Sequence, residues 1–262
     1  MIVPLTVKDF VERAEGVYRE RIGVVDEPSP PGGGMGRLTY AQFAAKARGL
    51  AVRLDQMGVG QGERVAILSP NAARFLLAFY GVSAYGRVLV PINYRLNAEE
   101  ISYIVDHSGA SVLLVDPDQV KVAEGIDVKH RFVLGTDTDA ELFGAEGTPE
   151  GEVDDENAVA SINYTSGTTA RPKGVELTHR NLWLNAVTFG WHVGVTDRDV
   201  ILHTLPMFHC NGWGMPYATT ARGVRHVVIR KIDGEEILRR IGDEGVTLMC
   251  GAPAVIAAVL DA

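Results

Sequence analysis

Apolar positions recur along the chain in two rhythms, one helical and one of short continuous runs. Val7, Phe10, Val11, Ala14 and Val17 lie near helical spacing and predict a helix within residues 3–21. A Pro- and Gly-rich stretch follows, PSPPGGGMG (28–36). It lacks both GxGxxG spacing and a preceding strand, so it reads as a surface connection. From Thr39 helix and strand alternate. Thr39 is placed to cap a helix reaching about Met57, with Gly58 at its C-terminal end. RVAIL (64–68) predicts a buried strand, PNAARFLLAFYGVSAYG (70–86) a helix, and RVLVPI (87–92) the next strand. An amphipathic helix then starts at Asn97, and SVLLVD (111–116) is another apolar strand. Continuous Val, Ile and Leu strands separated by helices predict a parallel sheet covered on both faces.

From about Asp137 to Asn157 the chain turns acidic and glycine-rich, which predicts a solvated connection with room for one short helix. The alternation resumes with AVASINY (158–164), a helix from Thr178, DVILHTLP (199–206), a helical stretch after Trp213, HVVIR (226–230), EEILRRIGDEG (235–245) and VTLMCG (246–251). Two α/β units, 1–150 and 151–262, are the expected organisation, without an internal repeat.

Composition narrows the function classes. A chain of 262 residues can bury a sizeable core, and 46% hydrophobic with 22% charged residues is ordinary for a globular protein. The net charge of −8 argues against a nonspecific nucleic-acid binder while leaving room for a local basic pocket. The most apolar window, Phe75 to Ile92, is broken by Gly81, Ser83, Gly86 and Arg87, too often to span a bilayer. The N-terminus lacks the charged and apolar regions of a signal peptide. Cys210 and Cys250 form no CxxC pair, so neither a disulfide framework nor a zinc site is read from them. Both are expected as buried core cysteines, and free thiols fit a reducing cytoplasm.

The richest chemistry lies in YTSGTTARPKGVELTH (164–179). A polyphosphate needs closely spaced donors, at least one cation and a backbone able to curl around it. Thr165, Ser166, Gly167, Thr168, Thr169 and Lys173 supply that set, and AVASINY would project it from the C-terminal edge of a sheet. It is not a Walker loop: Pro172 precedes Lys173, Gly174 follows, and a helix can start only at Thr178. The expected shape is a flap between two short strands. On composition alone, a Ser/Thr/Gly hairpin without any ligand fits equally well.

The full string resembles the signature loop of the adenylate-forming superfamily, which includes acyl-CoA synthetases, aryl-CoA ligases, luciferases and peptide-synthetase adenylation domains. The family pattern is YTSGTTGxPKGV followed by Thr-His, and the single departure here is Ala170. RLTYAQF (37–43), GVGQGERVAILSPN (58–71), GRVLVPINYRLNAEEISYIVDHSGA (86–110) and GVTLMCGAP (245–253) also resemble the family's N-terminal portion. The resemblance implies an α/β fold of layered sheets covered by helices, present as an incomplete N-terminal part of the large domain. It assigns the ATP phosphates to Thr165, Ser166, Gly167, Thr168, Thr169 and Lys173. Thr168 or Thr165 is the hydroxyl candidate for Mg²⁺, whose carboxylate ligand the chain lacks.

A second motif, LPMFHCNGW (205–213), follows DVILHT. Alone, His209 reads as a packed histidine, and His203 would make a metal pair only with further ligands that the sequence does not cluster there. In the resembling family this motif borders the acyl and pantetheine pockets. That nominates His209, Asn211, Gly212 and Trp213, with Gly251 and Ala252 from the later GAP segment, while Phe208 is expected to pack inward. Amino-acid-activating members resemble one another in carrying an aspartate where this chain has His209. The implied substrate is therefore a carboxylic acid without an α-amino group, medium-chain or aromatic. The implied partners are that acid, ATP with Mg²⁺, and CoA, and the resemblance leaves room for a homodimer. The family's magnesium-binding glutamate, ribose-binding aspartate and catalytic lysine have no counterpart in residues 1–262, so no catalytic residue is assigned. The expectation is an acid–CoA ligase part with little or no activity alone; a nucleotide-binding module completed by another chain, or a fragment without function, are the alternatives.

Overall fold

The aliphatic runs become the inner strands of two sheets in a computed structural model that describes residues 3–165 and 171–262. Helix α1 (Lys8–Tyr18) leads into β1 (Ile22–Val25) and β2 (Arg37–Thr39). Then come α2 (Tyr40–Gln56), β3 (Arg64–Leu68), α3 (Ala73–Ser83), β4 (Val88–Ile92), α4 (Ala98–Ser108), β5 (Ala110–Val115), α5 (Val120–Ala123), β6 (His130–Val133) and α6 (Thr136–Phe143). The chain continues through β7 (Val159–Thr165), β8 (Lys173–Thr178), α7 (His179–Val193), β9 (Val200–His203), a short turn α8 (Cys210–Trp213), α9 (Met215–Ala221) and β10 (Arg225–Val228). It closes with α10 (Gly234–Glu244), β11 (Leu248–Met249) and α11 (Pro253–Leu260).

One sheet has the order β6-β5-β3-β4-β7-β8 and the other β11-β9-β10-β1-β2. All pairings are parallel except those of β8 on β7 and β2 on β1. This is the expected helix-covered α/β architecture. The expected division at residue 150 does not follow the sheets: β1 pairs with β10, after residue 199, and carries β2 on its other edge, while β7 and β8 extend the sheet begun by β3. Strand β1 was hidden in the sequence because four residues with a glycine carry little pattern. It becomes a strand by inserting between β10 and β2.

The caps fall where local chemistry places them. Thr39, Asn97 and Thr178 each accept from the backbone of Gln42, Glu100 and Asn181, whose side chains answer back to the cap. Helix α3 is buried along its whole length. Gly81 lets it approach α2 closely, since a Cβ there would stand 2.8 Å from the Ala47 carbonyl. Arg87, also buried, donates to the Val59 and Tyr85 carbonyls and pairs with Asp55. The acidic segment is less solvated than its composition suggested. Leu142 and Phe143 are buried, and Asp139 takes both nitrogens of buried Arg74 at 2.7 Å, because that guanidinium needs a counter-charge.

Candidate functional site

Strands β7 and β8 pair in antiparallel register, with Thr165 opposite Lys173 and Tyr164 opposite Gly174. Both Thr165 and Lys173 are exposed. Ser166, Gly167, Thr168 and Thr169, with Ala170, lie outside the described residues. Because β7 runs parallel to β4, Thr165 ends at the edge where β3, β4 and β5 also end, the edge where ligands gather in such sheets.

Side chains alternate along β7, so Ser161, Asn163 and Thr165 share a face and Ile162 and Tyr164 take the other. The first face reaches the second motif. Ser161 Oγ donates to Asn211 Oδ1 at 3.3 Å, and Asn163 Nδ2 donates to the same oxygen at 3.2 Å. Asn211 is fully buried, and its Nδ2 has no partner among the described residues.

Five successive residues here are left-handed: Cys210 (φ 46°), Asn211 (φ 50°), Gly212 (φ 62°), Trp213 (φ 59°) and Gly214 (φ 72°). For each non-glycine this costs on the order of 1–2 kcal/mol, so the turn persists only where the surroundings over-determine it. Two asparagines do so. Asn211 ties the turn to β7. Asn71, after β3, donates through Nδ2 to the His203 carbonyl at 3.0 Å and the Leu205 carbonyl at 2.9 Å, and its Oδ1 accepts from the Met207 amide at 2.8 Å. Gly214 suits its left-handed backbone (φ 72°), and a Cβ there would stand 2.0 Å from Asn185 Oδ1 and displace that side chain.

The turn turns Cys210 and Trp213 outward, which corrects the expectation of a buried Cys210; Cys250 is half-buried. Cys210, Trp213 and Gly214 face Leu177, Asn181, Leu182, Asn185 and Phe189 across a cleft of about 480 Å³. No acidic residue lines it. His209 stands exposed beside it, with Nε2 at 3.9 Å from Cys210 Sγ. Phe208 packs against Tyr94 at 5.6 Å, edge to face, as expected of an inward-facing ring. Gly212 lies buried against the end of β9, where Thr204 Oγ1 donates to the Cys250 carbonyl at 2.5 Å. Gly251 and Ala252 follow directly, exposed, and Ala252 precedes the first turn of α11.

His203 does not pair with His209. Its Nε2 lies 2.8 Å from His226 Nδ1 on β10, and His226 Nε2 lies 3.0 Å from Thr220 Oγ1. Burial pushes His203 down to about 3, and burial with the His203 neighbour pushes His226 well below the ordinary range. Both are therefore neutral near pH 7.

Sequence reasoning missed a third grouping, because its members come from strand ends far apart in the chain. Arg230, after β10, pairs both nitrogens with Asp116, after β5, at 2.8 Å, and Ser69 Oγ donates to the same carboxylate at 3.2 Å. Beside it a crevice of about 220 Å³ runs between the two sheets, lined by Asn71, Tyr94, Arg95, Thr204, Arg230 and Lys231 among others. A basic crevice thus exists within an acidic chain. Among the described residues no group of three or more His, Cys, Asp or Glu could cage a metal ion. Thr165 alone is a poor donor set for Mg²⁺, which prefers carboxylates alongside phosphate oxygens. Among the described residues no helix is long and apolar enough to cross a membrane.

The family model described as AMP-binding enzyme matches residues 11–262. A long-chain-fatty-acid–CoA ligase of Thermus thermophilus is 36% identical over 270 residues, covering 98% of this chain and 49% of the relative. An acetate/butyrate–CoA ligase of Arabidopsis thaliana is 33% identical over 289 residues, covering 98% of this chain and 49% of the relative. The crystal structure of a long-chain-fatty-acid-CoA ligase from Archaeoglobus fulgidus superposes with a TM-score of 0.88 at 26% identity, over 100% of this chain and 54% of that one. The chain spans about half the length of the curated relatives it matches.

Proposed function

Because the chain belongs to the AMP-binding enzyme family, we propose that it is the N-terminal part of an ATP-dependent acid–CoA ligase. On this reading a carboxylate oxygen attacks the α-phosphorus of ATP, a P–O bond forms to the acid, and pyrophosphate leaves with the electrons of the broken bond. The CoA thiolate then attacks the acyl carbon, forming the thioester, and AMP departs. Positioning and charge neutralisation carry the first step. Thr165, Ser166, Gly167, Thr168, Thr169 and Lys173 hold the β- and γ-phosphates. His209, Asn211, Gly212, Trp213, Gly251 and Ala252 border the acid and CoA. A divalent cation, when bound, would add charge neutralisation at the phosphates, with Thr165 or Thr168 as the candidate hydroxyl.

The observation that carries the reading is the link through β7. Asn163, two residues before Thr165, bonds Asn211 in the left-handed turn. One strand therefore carries Thr165, the first of the candidate phosphate residues, at its tip and bonds the candidate acid-side turn at its middle. The cleft lined by Cys210 and Trp213 has no carboxylate to pair with an ammonium group. That favours an acid without an α-amino group, medium-chain or aromatic.

The chain spans about half the length of the curated relatives it matches, and within this reading we assign residues 1–262 ATP binding with little ligase turnover by themselves. Pyrophosphate release with ATP, CoA and a panel of acids tests this. Robust turnover by residues 1–262 would sink the inactivity claim, and absence of any ATP binding would sink the nucleotide reading.

A further inference from the structure

Only part of β7 is held by its parallel neighbour. Its register with β4 is carried by the pair Leu89–Ser161, and beyond it Ile162 to Thr165 ladder with β8. Strand β8 is the sheet edge, and Lys173 to Glu176 are exposed. A two-stranded ribbon in water is marginal and needs a third partner to hold one geometry. One face of the ribbon has Asn211. The other face meets α4.

Tyr103 and His107 stand one turn apart on α4 and project to the same side. The Arg171 guanidinium lies 5.2 Å from the Tyr103 ring centre, a cation–π distance. Tyr103 O–H donates to the Pro172 carbonyl at 3.4 Å. On the opposite strand, Tyr164 Oη lies 2.8 Å from His107 Nδ1, with the rings edge to face. Burial, and then the neighbouring Tyr103 phenol, raise the Tyr164 phenol above its ordinary value, so it keeps its proton within hydrogen-bond distance of Nδ1. Tyr103 and His107 complete the series at 5.2 Å between ring centres. Arg171, Tyr103, His107 and Tyr164 thus form one continuous ladder linking both strands of the ribbon to a single helix.

We propose that Tyr103 and His107 are positioning residues for the phosphate-binding hairpin. Helix α4 grips β7 through Tyr164 and the approach to β8 through Arg171 and Pro172, and so sets where Lys173 stands. This role rests on the nucleotide reading above. Without the grip the ribbon still folds but samples more orientations, and ATP must select the competent one.

The test uses the 262-residue chain in two measurements. Amide hydrogen exchange follows Asn163, Tyr164, Gly174 and Val175, with the β3 and β4 amides as a control for the fold. Tyr103→Leu is expected to speed exchange in the ribbon about tenfold, the loss of one hydrogen bond and one cation–π contact, and to leave β3 and β4 unchanged. Tyr103→Phe, which keeps the ring but not the hydroxyl, is expected to fall between. Calorimetric ATP affinity is expected to weaken about tenfold in Tyr103→Leu and to recover partly in Tyr103→Phe. Unchanged ribbon exchange overturns the grip. Faster exchange with unaltered ATP affinity overturns the positioning role, provided Lys173→Ala weakens binding. If Lys173→Ala leaves ATP affinity unchanged, or the parent binds none, the nucleotide reading fails, and the exchange measurement still decides the grip. Should Tyr103→Leu disturb β3 and β4, Tyr103→Phe alone decides it.

Discussion

Asn71 receives the Met207 amide on its carboxamide oxygen at 2.8 Å, joining the end of β3 to the segment that leads into His209. The same side chain donates to the carbonyls of His203 and Leu205, so one carboxamide satisfies three backbone groups of an irregular stretch. Asn71→Ala leaves those groups without partners in a largely buried place. It is expected to cost about 1–3 kcal/mol for each group that water cannot reach, measured by denaturant unfolding. Asn71→Asp keeps the acceptor but sets a carboxylate oxygen against the His203 and Leu205 carbonyls, and should cost at least as much as alanine.

Asn211 combines a left-handed backbone with a fully buried carboxamide. Asn211→Gly removes the side-chain bonds but suits the backbone, whereas Asn211→Ala removes the bonds and adds backbone strain. Alanine should therefore destabilise more than glycine, by about 1 kcal/mol. Equal losses in chemical denaturation would show that the turn is not left-handed in solution.

The Arg230–Asp116 pair ties together the ends of the two sheets, with Asp116 almost wholly buried. Arg230→Ala strands that carboxylate, and the expected cost is about 3–5 kcal/mol. A paired change, Arg230→Met with Asp116→Leu, should be far milder than the sum of the two single changes. A double-mutant cycle on unfolding free energies reads the coupling directly.

Acid should unfold the protein through its buried histidines. Burial pushes His179 down to about 4 and His203 down to about 3, and His226 also lies well below the ordinary value. Each is neutral when folded and takes up a proton more readily when unfolded. Their stabilising contribution is full above about pH 6.5, falls as the pH drops toward 4, and for His203 continues to fall toward 3. The slope is about 1.4 kcal/mol per pH unit for each histidine in that window. Thermal unfolding from pH 8 to 4 should show Tm falling below about 6.5, and His179→Phe should flatten the slope. A Tm independent of pH over this range would contradict the neutral buried state.

Much of this molecule was legible residue by residue. Strands β3, β4 and β5 of the six-stranded sheet announce themselves as continuous aliphatic runs because both of their faces are buried. The caps at Thr39, Asn97 and Thr178 follow from side chains reaching three residues along the chain, an interaction that sequence spacing reports directly. The Ser, Thr, Gly and Lys content of residues 164–174 fits a phosphate loop and a plain hairpin equally, whereas the full string resembles the family that the match over residues 11–262 shows. Tertiary structure decided what those local signals could not. Strand β1 exists because β10 and β2 flank it. Cys210 is exposed because a left-handed turn, which no periodicity foretells, rotates it outward. His203 found its partner 23 residues away on a parallel strand, and Asn71 gripped Met207 across 136 residues. Local rules act within a helical turn or a strand pair. The bonds that set the geometry of the site close loops far longer than that, and only the packed sheets bring their ends together.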